Sequence, residues 1–458
     1  MGRAVRALLL TLRLALPKVG VGWMFAVLTI DFNRVAIFEL GIAAVLVTSL
    51  LSIHYFVAPF QVVIGRIADC RPIAGYRRTP YLIAGSLVAS LLFLALPSVT
   101  LAMGAGSFTG VLAAVLLFTL FGLAMAVIAD THHSLIAEVT DKETRGGVVA
   151  VVWVVMILST IAAAIVMNIM RSEFTPEGMQ RLYNLSPFIV VGFTLLGVLG
   201  VERRLDAAEL VAARDRARAL APPGNPLASA VRLLQRNGHA RAFFAFVGIA
   251  IFAIFLQENI IEVFGAEVFA LSIVETTRFQ PIWGSGVLLG MLVTGAASVL
   301  LKPSRRTLAL LGCGGIALGF LLLAGVTLFE QGRLLTPALF VLGVFTGIFN
   351  VGALALMMEM TVEGATGLYL GLWGTAQAFG MGLASIASGG LHTLLIGSGL
   401  LAPKLAYALL FGIEAGGMLL AGCFLLRVRV TAFMQTATAV EAPVEPLPAM
   451  PAPAAVRA

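Results

Sequence analysis

Residues 43–81 read AAVLVTSLLSIHYFVAPFQVVIGRIADCRPIAGYRRTPY, and the two ends of that stretch differ in character. Residues 43–64 hold no Asp, Glu, Lys or Arg. As a helix they rise roughly 33 Å, enough to cross a hydrocarbon core of about 30 Å. Arg66, Asp69, Arg71, Arg77 and Arg78 then make a connector that belongs in water or among headgroups. The same alternation runs along the chain. Its apolar runs are Val19–Ile37, Ala43–Ile64, Tyr81–Leu101, Phe108–Ile136, Gly146–Met170, Pro187–Val201, Ala242–Ile261, Ile282–Leu301, Thr307–Phe329, Leu335–Met360, Gly367–Leu391 and Leu405–Leu426. Mean hydropathy is +1.01, and only 12% of residues are charged. Soluble domains average about a quarter. The expected fold is an all-α polytopic membrane protein with twelve transmembrane helices.

The first run is not expected to be a removable signal peptide, since it is long and follows Pro17-Lys18 with no small-residue cleavage site after it. With both termini in the cytoplasm, that side receives 24 Lys and Arg and the other side 6. Positive charge resists translocation, so the expected topology is N-in, C-in. The pI near 9.7 then reflects topology, and nucleic-acid binding is not expected. Cys70, Cys313 and Cys423 are scattered thiols. No phosphate-cradling loop, zinc spacing or Ser/His/Asp grouping stands in a suitable context, so neither catalysis nor a metal ion is expected.

The longest connector, with charges from Arg203 to Arg218 and then Pro222-Pro223-Gly224-Asn225-Pro226, divides the chain. The expected units are an N-terminal six-helix half (1–202), an inter-half cytoplasmic loop (203–241), a C-terminal six-helix half (242–429) and an unstructured tail (430–458) rich in Ala, Pro and Val. The halves read as distant copies. Asp31-Phe32-Asn33 late in helix 1 matches Gln257-Glu258-Asn259 in helix 7, and Glu39 and Glu267 follow at similar distances. Parallel repeats of this kind occur in the 6+6 architecture of the major facilitator superfamily.

The loop after helix 2 adds to this. Gly65, Asp69, Gly75, Arg77 and Arg78, in the order Gly65-Arg66-Ile67-Ala68-Asp69 and Gly75-Tyr76-Arg77-Arg78-Thr79-Pro80-Tyr81, resemble the signature loop of that superfamily. Gly65 permits close helix approach, Asp69 suits helix N-terminal amides or an Arg, and Arg77 and Arg78 suit the headgroups. The counterpart after helix 8 is eroded to Lys302-Pro303-Ser304-Arg305-Arg306. A finer resemblance lies in Asp31-Phe32-Asn33-Arg34-Val35, Glu39-Leu40-Gly41, His54-Tyr55, Ala58-Pro59-Phe60, the run Leu256 to Phe269, and Glu275-Thr276-Thr277. Together these are similar to the PucC family, to about Leu426. That resemblance implies a factor assisting assembly of light-harvesting complexes in phototrophs. It also implies transient bacteriochlorophyll or chlorophyll and, as partners, antenna polypeptides and pigment-synthesis enzymes. The implied location is an inner membrane, cytoplasmic or intracytoplasmic and photosynthetic.

A magnesium tetrapyrrole needs one axial ligand, usually a neutral imidazole, and an apolar envelope. His54 in helix 2 and His132 and His133 late in helix 4 are the candidate pigment ligands. Interhelical hydrogen bonding is the plainer role for His54, and a solvated or headgroup role for the other two. The glycine-rich faces Gly312-Cys313-Gly314-Gly315 and Gly371 to Gly382 suit close helix packing, or a flat surface for a macrocycle. The intramembrane polar residues are Asp31, Asn33, Arg34, Gln257, Glu258, Glu262 and Glu267. Asp31 and Arg34 are three apart and are expected to pair within helix 1. Glu258 has no basic residue on its own helix and is the better candidate for a functional acid. Two functions are therefore carried forward, an assembly factor and a proton-coupled secondary transporter of a pterin- or tetrapyrrole-like solute.

Overall fold

The computed structural model describes residues 3–57, 67–68, 71–170, 173–206, 208–211, 234–301, 303–360 and 366–441. Among them, eleven helices are long and apolar enough to cross a membrane. A shorter apolar helix, α3 (Ala44–Val57), covers the start of the second apolar run, and the rest of that run lies outside the described residues. The chain is a multi-pass, helical membrane protein.

The first segment joins α1 (Arg3–Ala15) to α2 (Pro17–Ala26), with Pro17 in the first turn, where its missing N–H costs nothing. Beyond Ala26 the helix is wound more widely, as π-helix over Val27–Phe32 and Val35–Glu39. Then come α4 (Thr79–Gly104), α5 (Phe108–Val139), α6 (Lys142–Met170), α7 (Pro176–Tyr183) and α8 (Ser186–Val198). The sixth run therefore begins earlier than its apolar stretch, with a break between α7 and α8.

The seventh run is also broken. α9 (Gly238–Phe255) gives way to a turn over Leu256–Ile260, and α10 (Ile261–Phe269) follows. Across the turn Glu258 N bonds Phe255 O and Ile260 N bonds Gln257 O, tighter i→i−3 bonds in place of i→i−4. α11 (Ile273–Thr276) opens on a capping box in which Ser272 and Glu275 satisfy each other's backbone N–H. Next are α12 (Phe279–Leu300), α13 (Arg305–Leu328), α14 (Leu335–Glu359), α15 (Thr366–His392) and α16 (Pro403–Leu426).

The buried apolar side chains form two clusters. One takes residues from Leu14 to Val198 together with Val263, and the other takes Ala240 to Phe433. The start of the tail differs from expectation. Val430–Glu441 forms a helix, α17, with Phe433 fully buried and its carbonyl accepting from Asn237 Nδ2. Val430 and Met434 pack, partly buried, against the same cluster as Phe433, so the segment has an apolar face to dock.

Glycine allows one very close helix contact. A Cβ at Gly290 would sit 2.0 Å from Val344 O, and one at Gly347 would sit 2.2 Å from Val287 O, so α12 and α14 touch backbone to backbone. Gly312 and Gly315 likewise receive Phe349 and Phe345, which settles their face as packing, whereas Gly314 and Gly374 meet nothing within 4 Å.

Candidate functional site

The π-wound end of helix 1 meets the break in helix 7. Asn33 Nδ2 donates to Thr29 O (3.2 Å) and to Asn259 Oδ1 (3.4 Å). Asn259 Nδ2 donates to Ser385 Oγ (2.7 Å), and Ser385 Oγ to Thr48 O (2.7 Å). This buried polar chain links helices 1, 7, 11 and 2. Ser385 escaped the sequence reading, because one serine in an apolar helix carries no pattern.

Arg34 is not paired with Asp31, as spacing suggested. Its Nη2 lies 3.5 Å from Glu39 Oε1 and donates to Leu271 O at 3.4 Å. Wide winding is the reason: with i→i+5 bonding, residues five apart align and residues three apart do not. Asp31 is buried one turn earlier.

Glu258 is buried and accepts from Gln280 Nε2 at 3.1 Å. Glu262 is sealed from solvent, and among the described residues neither of its carboxylate oxygens has a hydrogen-bond partner. Its neighbouring charges are Glu258 and Arg34. Gln257 Oε1 is also without a partner there, and the buried Glu414 of α16 lies beside the Gln257 backbone. Glu267 stands apart from these. It takes His392 Nε2 (3.0 Å) and the Tyr407 hydroxyl (2.9 Å), tying α10 to the ends of α15 and α16.

His54 Nδ1 donates to Leu51 O, and this is the ring's one hydrogen bond among the described residues. A carbonyl oxygen only accepts, so Nδ1 carries the proton of that bond. His54 lines a cavity of ≈ 70 Å³ together with Met24, Leu28, Tyr55, Phe121, Met156 and Asn259. His132 is not solvated. It is 1% exposed, and its Nε2 donates to Leu14 O at 2.7 Å, holding α5 against α1. His133 stacks near it, with rings 6.1 Å apart, and Lys18 lies buried close by over Trp153.

Gly65 and Asp69 of the loop motif lie outside the described residues. Arg78 Nε donates to Glu138 Oε1 at 2.9 Å, and Arg77 Nη2 is 3.6 Å from the same oxygen. Among the described residues, a carboxylate from outside the motif also reaches the α4 N-terminus. Glu202, just past α8, accepts from Arg77 N (2.6 Å), Arg78 N (3.0 Å) and Thr79 N (2.7 Å). Anions are favoured at such an end by both free amides and the helix dipole. Gly75, at φ +87°, lets this segment close, since Leu205 N bonds Gly75 O and a Cβ would strike Arg204.

Comparison with solved structures places the fold. The nucleoside transporter NupG aligns over 92% of this chain and 100% of its own, with TM-score 0.68 and 16% identity. The xylose transporter XylE from E. coli, in its inward-open conformation, aligns over 91% and 95%, with TM-score 0.64 and 17% identity. The chain shares the fold of these transporters. Among sequences, the "Bacteriochlorophyll synthase 44.5 kDa chain" of Rhodobacter capsulatus is 31% identical over 88% of this chain and 91% of its own. "Protein PucC" of Cereibacter sphaeroides is 26% identical over 89% of each. The family model described as PUCC protein matches residues 31–433, from the Asp31 motif in helix 1 to the buried Phe433 of α17. The chain belongs to the PucC family.

Proposed function

We propose that this protein is an assembly factor for photosynthetic light-harvesting complexes, binding (bacterio)chlorophyll or delivering it to antenna polypeptides in an inner, photosynthetic membrane. The observation that carries the reading is membership of a family whose relatives include a bacteriochlorophyll synthase chain and PucC. His54 supports it chemically, as an imidazole that lines a cavity and uses Nδ1 for its hydrogen bond to Leu51 O. His132 instead bonds Leu14 O through Nε2, which ties α5 to α1. Volume sets a limit. A space of ≈ 70 Å³ holds about two waters, far less than a tetrapyrrole ring. His54 fits the group as a donor, and the cavity does not fit it as an envelope. In this conformation Leu51 O orients the imidazole, and Phe121, Leu28 and Met156 line the cavity beside it.

The test is the absorption spectrum and extracted pigment of protein purified from a pigment-making host that lacks antenna polypeptides. Stoichiometric pigment, reduced in His54→Ala without unfolding, is the expected result. A colourless folded protein refutes the pigment-binding half of the proposal, and unchanged pigment in the variant removes His54 as ligand.

A second reading, proton-coupled transport of a small solute, draws support from the buried Glu258 and Glu262 at the helix 7 break. Discontinuous helices commonly build coupling-ion sites. Glu258→Gln is expected to abolish uptake into proteoliposomes if transport occurs, and persistent uptake removes Glu258 as the coupling acid.

A further inference from the structure

The two halves build the same end differently. In the first, Arg78 at the start of α4 pairs with Glu138 at the end of α5, and Glu202, four residues past α8, places its carboxylate on the α4 amides. In the second, Arg305 at the start of α13 pairs with Glu359 at the end of α14. The residue four past α16 is Val430, which has no carboxylate to offer. At that place there is a cavity of ≈ 350 Å³, lined among the described residues by Arg306, Leu356, Leu425, Val428, Arg429, Val430 and Thr431.

Among the described residues its lining includes two arginines and no acid. Arg306 Nη2 donates to Leu426 O at 2.6 Å, while its Nε is buried with no hydrogen-bond partner among the described residues. Leu356, Leu425 and Val428 make an almost fully buried apolar floor. The volume lies within the usual range for small-molecule sites. A buried guanidinium N–H without an acceptor is costly, and an oxyanion is the group that satisfies it best.

We propose that this cavity binds a phosphate-type oxyanion, which takes the place that the Glu202 carboxylate fills in the other half. Arg306 and Arg429 hold the anion, and the apolar floor accepts the first carbons of an attached chain. An anionic phospholipid headgroup and a free phosphate share this chemistry, and basic pockets between helix ends are known lipid-headgroup sites.

The experiment is thermal unfolding of delipidated protein in neutral detergent, with added phosphatidylglycerol, phosphatidylcholine or inorganic phosphate. Phosphatidylglycerol is expected to raise the unfolding temperature where phosphatidylcholine does not. Arg306→Gln with Arg429→Gln should weaken the half-saturating concentration by about tenfold or more. Stabilisation by inorganic phosphate as well assigns a free oxyanion as sufficient; stabilisation by the lipid alone assigns the headgroup. Val430→Glu supplies an internal carboxylate, and is expected to be more stable without lipid and indifferent to it. The proposal is overturned if no anion stabilises the wild type, or if the double variant and Val430→Glu both respond as the wild type does.

Discussion

Removing the Glu202 carboxylate tests how the segment after α8 is anchored. That side chain is 9% exposed and accepts three backbone N–H groups at the start of α4, two of them in buried bonds. Glu202→Ala leaves those donors without their acceptor, at roughly 1 kcal/mol each where water reaches them and more where it does not. Loss of the charge at a helix N-terminus adds about 0.5–1 kcal/mol. The sum is about 3–4 kcal/mol. Glu202→Gln keeps one acceptor oxygen and loses the charge, so about half that is expected. A cooperative unit of about 200 residues shifts its midpoint by roughly 2–4 °C per kcal/mol. Glu202→Ala should therefore melt roughly 6–16 °C below the wild type in detergent, followed by tryptophan fluorescence. Glu209→Ala is the control, since it removes an exposed pair with Arg203, and such pairs contribute about 1 kcal/mol at most. If Glu202→Ala melts within a degree of the wild type, the three hydrogen bonds do not anchor that segment and the reasoning fails.

Gly290→Leu and Gly347→Leu should prevent accumulation of folded protein, because even a Cβ would lie 2.0–2.2 Å from a facing carbonyl oxygen. Gly314→Ala, with nothing within 4 Å, should be neutral or up to about 1 kcal/mol stabilising through helix propensity; fluorescence-detected size exclusion separates the cases. Ser385→Ala breaks the Asn259–Ser385–Thr48 chain and should cost about 0.6–2 kcal/mol in reversible unfolding. Tyr407→Phe removes one donor from Glu267 while His392 remains, so a loss of about 1 kcal/mol is expected, and a loss as large as that of Glu267→Ala would contradict the shared role.

The helical runs could be read from the sequence because each depends only on its own residues. Phe108–Ile136 and Leu405–Leu426 fall within α5 and α16 almost unchanged. The break inside the seventh run was not legible, although Gln257-Glu258-Asn259 lay in plain view. A polar triplet in an apolar helix is compatible with a straight helix until partners such as Ser385 and Gln280 draw its side chains sideways. Asp31–Arg34 misled for a related reason, since the i→i+3 rule presumes α-winding and this stretch is π-wound. The histidines divided on tertiary grounds. Leu14, 118 residues away, decided that His132 is a structural donor.

The sequence alone determined that this is a multi-pass helical membrane protein, and its motifs carried the resemblance to the PucC family. Hydropathy and local motifs are properties of neighbouring residues, and a chain cannot conceal them. Tertiary structure alone decided which side chains meet. It set Asn33 against Asn259 across 226 positions, brought Glu202 to the amides of α4 over more than 120, and left a cavity beside Arg306 where the other half has its own carboxylate. Such meetings depend on how helices stack, and helices of the same hydropathy can stack in many ways.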